Sequence, residues 1–211
     1  MTNGTGTEFW DRVADRYAAR PVKDVAAYDA MLADVAARLT ATDRVLEIGC
    51  GTGSTALCLG PAVAEWQATD ASPEMLRIAR AKPAPGNVSF ALSDADGAFD
   101  GAPYDAVCAF HILHLVPDTR ATLARIHANL KPGGLLFSKT FCFGDMNLLM
   151  RALIPVLRAR GLVPPATALT SRTLRQAIVE AGFEIETQRI FGRSRNSQYI
   201  VARKSTQDTQ P

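Results

Sequence analysis

The residues best equipped for chemistry lie in the stretch 44–57, Arg-Val-Leu-Glu-Ile-Gly-Cys-Gly-Thr-Gly-Ser-Thr-Ala-Leu. Val45, Leu46 and Ile48 form an apolar run that ends at Gly49, Gly51 and Gly53, and a helix-like stretch follows. That order describes a buried strand turning tightly into a helix N-terminus. Glycine removes the Cβ that would keep a ligand off the backbone, and the first N–H groups of a helix lack partners and point outward. A small polar ligand is the expected occupant. Its charge is read from Glu47, which Val45, Leu46 and Ile48 place in the inner sheet. The dinucleotide fingerprint G-x-G-x-x-G fails here, because Ser54 stands where its third glycine falls. A carboxylate two residues before the first glycine also sits badly beside a pyrophosphate, and suits a ligand with an ammonium group or other positive charge. The plainer alternative is a glycine turn that only joins strand to helix.

Positioning these groups falls to the elements around them. The 211 residues suffice for one domain with a substantial core. Helices are expected over 8–20, where Phe9, Trp10, Val13 and Tyr17 recur at helical spacing, and over 24–39, capped by Asp24. Strands over 44–49, 65–69, 88–92, 104–110 and 135–141 alternate with helices over 53–60, 73–82 and 119–130, the last stopped by Lys131-Pro132-Gly133-Gly134. Residues 145–160 read as an apolar helix that Pro155 should kink or end, and Ser171 as the cap of another helix ending at Gly182. Strands over 183–190 and 198–204 are too close for a crossover and should pair antiparallel. The expected fold is α/β: a doubly wound, mostly parallel sheet of about seven strands with an antiparallel edge strand and helices on both faces. Residues 206–211 form a polar tail expected to be disordered.

In such sheets ligands bind beyond the carboxyl ends of the strands. Asp70 ends the second strand, where it can accept from ribose hydroxyls, and Asp94-Ala95 follows the third, where it can accept from an exocyclic amine. Helix capping by Asp70 and a turn role for Asp94 are the ordinary alternatives. The run 45–53 resembles motif I of the class I S-adenosylmethionine (SAM)-dependent methyltransferases, and Thr69-Asp70-Ala71-Ser72-Pro73-Glu74-Met75 resembles their ribose-binding turn. Ser93-Asp94-Ala95 resembles the adenine-contacting turn, while 104–107 and 130–134 are similar to the segments flanking the family's fourth and fifth strands. The resemblance covers 44–140 and, more loosely, the whole chain. It implies SAM as cofactor, S-adenosylhomocysteine (SAH) as product and no metal. The cofactor contacts it implies are Glu47, Gly49, Cys50, Gly51, Gly53, Asp70, Ala71, Met75, Asp94, Ala95, Phe110 and, from a helical lid over 1–40, Tyr17.

Methyl transfer from a sulfonium needs position and a dry cavity rather than a protein nucleophile. A general base matters only for a hydroxyl or protonated amine acceptor, and His111, where the fourth strand ends, is the catalytic candidate, with simple hydrogen bonding as its alternative. Trp10, His114, Phe141, Phe143 and Met146 are the candidate acceptor contacts, and 141–165 the acceptor-site helix, with packing of that face on the sheet as the alternative. His114 also reads as a helix-start or packing residue, and no third ligand joins the His111/His114 pair to make a metal site. The segment 96–103 is shorter than in many three-layer folds, and no N-P-P-[YF] motif follows the fourth strand, which favours a small-molecule acceptor over a nucleic-acid base or peptide glutamine. Enzymes with S-adenosyl chemistry but no methyl transfer, non-catalytic SAM or SAH sensors, and nicotinamide dehydrogenases remain as other readings.

With 23 basic and 21 acidic residues interspersed, a net charge of +2 gives no case for nucleic acid. Cys50, Cys58, Cys108 and Cys142 contain no C-x-x-C pair and read as buried free thiols in a reducing compartment. Residues 1–7 lack the apolar core of a signal peptide, and no stretch reaches the roughly 18–20 apolar residues of a membrane span. A cytoplasmic protein without integral membrane association is expected; nothing in the sequence specifies an oligomeric state.

Overall fold

Strands that are apolar on both faces stay buried only if helices cover each side of the sheet, and the computed structural model, which describes residues 6–206, is built that way. Its elements are α1 (Gly6–Ala18), α2 (Val25–Ala36), β1 (Arg44–Ile48), α3 (Ser54–Leu59), β2 (Glu65–Asp70), α4 (Pro73–Arg80), β3 (Val88–Leu92), β4 (Tyr104–Phe110), α5 (Thr119–Asn129), β5 (Leu130–Phe141), α6 (Leu148–Ala159), α7 (Ser171–Glu180), β6 (Phe183–Arg189) and β7 (Ser197–Lys204). The sheet order is β3-β2-β1-β4-β5-β7-β6. The first five strands run parallel, and β7 runs antiparallel to both β5 and β6, with β6 outermost. The antiparallel element expected at this edge is therefore the inner strand of the closing hairpin.

Alternation along the strands sorts the core onto two faces. Val45, Ala68, Cys108, Phe110, Phe137 and Tyr199 pack towards α2, α3 and α4. Leu46, Ile48, Val107, Ala109, Leu136 and Ile200 pack towards α5 and α7. Local chemistry starts the helices. The Asp24 carboxylate accepts from Ala27 N–H, and Ser72 Oγ accepts from Met75 N–H ahead of Pro73. The helix expected to be capped by Ser171 is capped instead by Thr170, whose hydroxyl and that of Thr173 serve each other's backbone N–H reciprocally.

Two further expectations are corrected. The strand expected from 135 begins at Leu130, because Leu130 pairs with Tyr104 and a register shift before Ala106 absorbs Lys131-Pro132-Gly133-Gly134. Cys58 is exposed, since α3 turns Ala56 and Leu59 inward; Cys50, Cys108 and Cys142 are buried. His127, in the last turn of α5, stacks edge-on against Phe183 with ring centroids 4.9 Å apart.

The segment after β5 departs most. A short 3-10 turn (Phe143–Asp145) precedes α6, and Pro155 sits inside the helix, which continues to Ala159. No α6 residue is buried, and Leu148 and Leu149 are 79% and 80% exposed. The apolar face of α6 is thus left open rather than packed on the sheet. Among the described residues no helix is long and apolar enough to cross a membrane. Of the expected tail 206–211, only Thr206, in a turn, lies within the described residues.

Candidate functional site

The sheet order reverses between β1 and β4, and at that point the carboxyl ends of neighbouring strands diverge and leave a crevice. Two adjoining cavities occupy it, of about 330 Å³ and about 1080 Å³. Both are bordered by Gly49, Gly51, Phe110, His111 and, from α1, Tyr17. The smaller extends over the ends of β2 and β3. The larger extends beneath α2 to the ends of β5 and β7.

The three glycines after β1 do different work. All have positive φ, at 68°, 55° and 77° for Gly49, Gly51 and Gly53, a region that costs other residues about 1–2 kcal/mol. A Cβ on Gly49 would lie 2.9 Å from the Ile112 side chain, and one on Gly53 would lie 2.7 Å from the Phe90 ring, so both permit close packing. A Cβ on Gly51 would meet nothing within 4 Å. Gly51 therefore presents bare backbone to open space, while Gly53 caps α3 and borders neither cavity. Cys50 lines the larger cavity.

Asp70 fastens this loop to β2. Its carboxylate accepts from Gly51 N–H at 2.7 Å and Ser72 N–H at 2.8 Å. Burial raises its pKa, and those donors offset part of the rise. Asp70, Ala71 and the buried Met75 line the smaller cavity together with Asp94 and Ala95. Asp94 uses one oxygen to accept from the N–H groups of Asp96 (3.0 Å) and Gly97 (2.8 Å), which fixes the turn and leaves the other free of those bonds. Helix α1 closes over this end. Ser72 Oγ donates to Asp11 at 2.5 Å, Arg77 pairs with Asp15 at 2.6 Å, and Trp10 reaches the cavity wall. Trp10, read from the sequence as an acceptor contact, therefore stands at the β2–β3 end.

Glu47 points from β1 into the larger cavity and is only 3% exposed. Trp66 Nε1–H donates to it at 3.1 Å, and no cation of the described residues pairs with it. Burial pushes its pKa up to about 8, against the lowering effect of the Trp66 bond. A buried carboxylate without a positive partner is costly unless it stays protonated or a cation arrives.

His111 follows β4 in the left-handed region, with φ 57°, unusual for a residue with a side chain. Its N–H donates to Lys139 O at 2.6 Å, which turns the imidazole onto both cavities. Loss of hydration there and the charge of Lys139 lower its pKa to about 4, so the ring is neutral at pH 7 and a weaker base than free histidine. Phe141 borders the larger cavity. His114, Phe143 and Met146 border neither: His114 is buried, and its ring packs 5.5 Å from that of Phe143. Sequence reading missed Lys139 and Ser197, both in the wall of the larger cavity. The available signal was a lysine falling on the inward alternation of Leu135, Phe137 and residue 139. Among the described residues no group of three or more His, Cys, Asp or Glu side chains could hold a metal ion.

The profile of a family described as "Methyltransferase domain" matches residues 13–188. The chain is 38% identical over 133 residues to the biotin biosynthesis bifunctional protein BioCD of Bordetella avium, covering 60% of this chain and 28% of that protein. It is 34% identical over 102 residues to the ubiquinone biosynthesis O-methyltransferase of Xylella fastidiosa, covering 46% of this chain and 41% of that one. The chain thus spans less than half the length of these curated relatives. The crystal structure of magnesium protoporphyrin IX methyltransferase from Synechocystis, with bound SAH, shares the fold at a TM-score of 0.68 and 22% identity, covering 96% of this chain and 95% of that one. Matched along most of its length, with a triple-glycine turn set between Glu47 and Asp70, the chain belongs to the class I SAM-dependent methyltransferase family.

Proposed function

We propose that the protein transfers a methyl group from SAM to a small, partly apolar acceptor in a reducing, cytoplasmic setting. The observation that carries this reading is Glu47, a buried carboxylate that lines the same cavity as the bare backbone of Gly51 and pairs with no cation among the described residues. Binding of the methionyl ammonium near Glu47 would offset the burial of that charge. Each oxygen of Asp70 takes a backbone N–H and keeps a lone pair that suits the ribose hydroxyls, and Met75 and Asp94 suit the adenine, so the residues present fit the cofactor. When bound, SAM would supply an electrophilic methyl group, whose bond to sulfur breaks as the acceptor attacks in line and SAH leaves.

The chain's own contribution is placement and exclusion of water. Tyr17 and Trp10 roof the nucleoside end, and Gly51 allows close approach. Phe110 and His111 stand at the junction of the two cavities, where acceptor and methyl donor meet. Neutral His111 accepts a hydrogen bond from an acceptor hydroxyl or amine and orients it; a full proton transfer to it requires its pKa to rise from about 4 on binding. The acceptor occupies the larger cavity, against Phe141, rather than α6, which lines neither cavity. Incubation with methyl-tritiated SAM and a fractionated pool of small aromatic and aliphatic acceptors tests this directly. Label in a small-molecule product is expected. Tight SAH binding with no label transferred from any fraction would favour a sensor of SAM or SAH instead.

A further inference from the structure

The larger cavity carries a charge feature outside the cofactor contacts proposed above. Lys139 rises from the carboxyl end of β5 between Phe110 of β4 and Tyr199 of β7, its partners in register, on the face turned towards α2. Among the described residues its ammonium makes no hydrogen bond or ion pair; Asp24, which also lines the cavity, interacts with it only at longer range. Ser197 opens β7 opposite Phe141, two residues from Tyr199, and so lies diagonally across the ladder from Lys139 on the same face. Diagonal neighbours in an antiparallel pair stand about 7–8 Å apart at Cα, within joint reach of one bound group. Ser197 is 6% exposed, and its buried hydroxyl has no partner among the described residues although it lines the same cavity. An unpaired buried hydroxyl and an unpaired half-buried ammonium are each unfavourable alone. Both are satisfied by one anion.

We propose that Lys139 and Ser197 form the anion-binding corner of the acceptor site, and that the acceptor is a flat apolar or aromatic molecule bearing a carboxylate. The surroundings fit. Tyr28, Phe110, Phe141 and Phe191 supply an apolar wall, and Arg20, Lys23 and Arg193 stand exposed at its border. Those cations and Lys82, whose Nζ donates to Thr52 O at 2.6 Å, outweigh the two acids, Asp24 and Glu47. Such a border draws anions by long-range attraction, and the corner then orients them so that the far end of the molecule faces His111. Lys139 and Ser197 act as binding residues; no bond is made or broken at either.

The assignment rests on the methyltransferase reading for what the bound acid is used for, and its test separates the two. Benzoate and its neutral isostere benzamide are titrated by saturation-transfer NMR into the full chain, with and without saturating SAH. In the wild type benzoate is expected to bind at least about tenfold tighter than benzamide, the usual size of a charge-assisted hydrogen bond. Lys139→Met should abolish that preference, Ser197→Ala should reduce it, and Lys139→Arg should keep most of it, while all three bind SAH like the wild type. Equal binding of the two probes in the wild type, or a preference that survives Lys139→Met, overturns the proposal. So does a tenfold or greater loss of SAH affinity in Lys139→Met, which would assign the ammonium to the cofactor's own carboxylate. A Lys139-dependent benzoate preference in a wild-type protein that binds no SAH would uphold the anion corner and remove the cofactor reading alone.

Discussion

At the scale of single residues, Glu47 carries two opposed requirements. Its carboxyl, with a folded pKa of about 8 against an ordinary value of 4.5, takes up a proton on folding between those pH values. Stability is then free of this penalty below pH 4.5 and declines as pH rises towards 8. Glu47→Gln should therefore stabilise the ligand-free protein by roughly 5 kcal/mol at pH 9, since the rise from 4.5 to about 8 is worth about 1.4 kcal/mol per pKa unit. Denaturant titrations should show the gain vanishing at acid pH; a gain that does not depend on pH would assign it to packing instead. The same substitution, like Asp70→Ala, should weaken SAM binding by about 1–3 kcal/mol, the cost of removing a charged hydrogen-bond partner, as read by calorimetry. His111→Ala should leave SAM affinity nearly intact and slow turnover of the acceptor; unchanged turnover would leave His111 a structural hinge. The position of Glu47, Asp70, Gly49 and Gly51 at the crevice was legible in the sequence because each lies at or just beyond the carboxyl end of a parallel strand, whereas Gly53 serves the start of α3 instead. Lys139 and Ser197 were not, because only the antiparallel register of β5 with β7 sets them on one face.

Elements obey a different limit. Periodicity locates the apolar face of a helix but does not say what covers it. In α4, Met75, Leu76 and Ala79 are buried as the pattern implies, whereas in α6 an equally clear pattern is left open. Leu149→Gln should accordingly shift unfolding by less than about 0.5 kcal/mol, the range for uncovered surface positions. A loss above 2 kcal/mol in a denaturant titration would mean that the helix is packed in solution. Helix α1 is legible as amphipathic from Phe9, Trp10, Val13 and Tyr17, and its docking adds polar contacts outside that stripe to the burial of Val13 and Ala14. Asp11 accepts from Ser72 Oγ and lies 3.5 Å from Glu74 N–H at the N-terminus of α4, where a negative charge is favoured. Asp11→Ala should loosen this roof and speed SAH release several-fold in stopped-flow experiments. Asp15→Ala should do little, because the Arg77–Asp15 pair is exposed.

For the whole molecule, the layered α/β class followed from the alternation of strands and helices, whereas the strand order, and with it the crevice at the reversal between β1 and β4, is read only from the folded sheet. The acid limb of stability is also a property of that crevice. His111 and His114 both have pKa values lowered from 6.5 to about 4, His111 by lost hydration and Lys139, His114 by lost hydration and His111. Groups depressed in this way contribute fully above pH 6.5 and lose their contribution as pH falls towards 4. His114→Phe, which also removes a buried ring nitrogen without a partner among the described residues, should flatten the thermal-stability profile between those values. The central claim is that the crevice holds an amino-acid-tailed nucleoside and not a diphosphate, and calorimetric titration of the purified chain with SAH and, separately, with NAD tests it most directly. One equivalent of SAH binding at about micromolar Kd, near −8 kcal/mol, with no heat from NAD, is the expected result. NAD saturating the site while SAH gives no heat would contradict it.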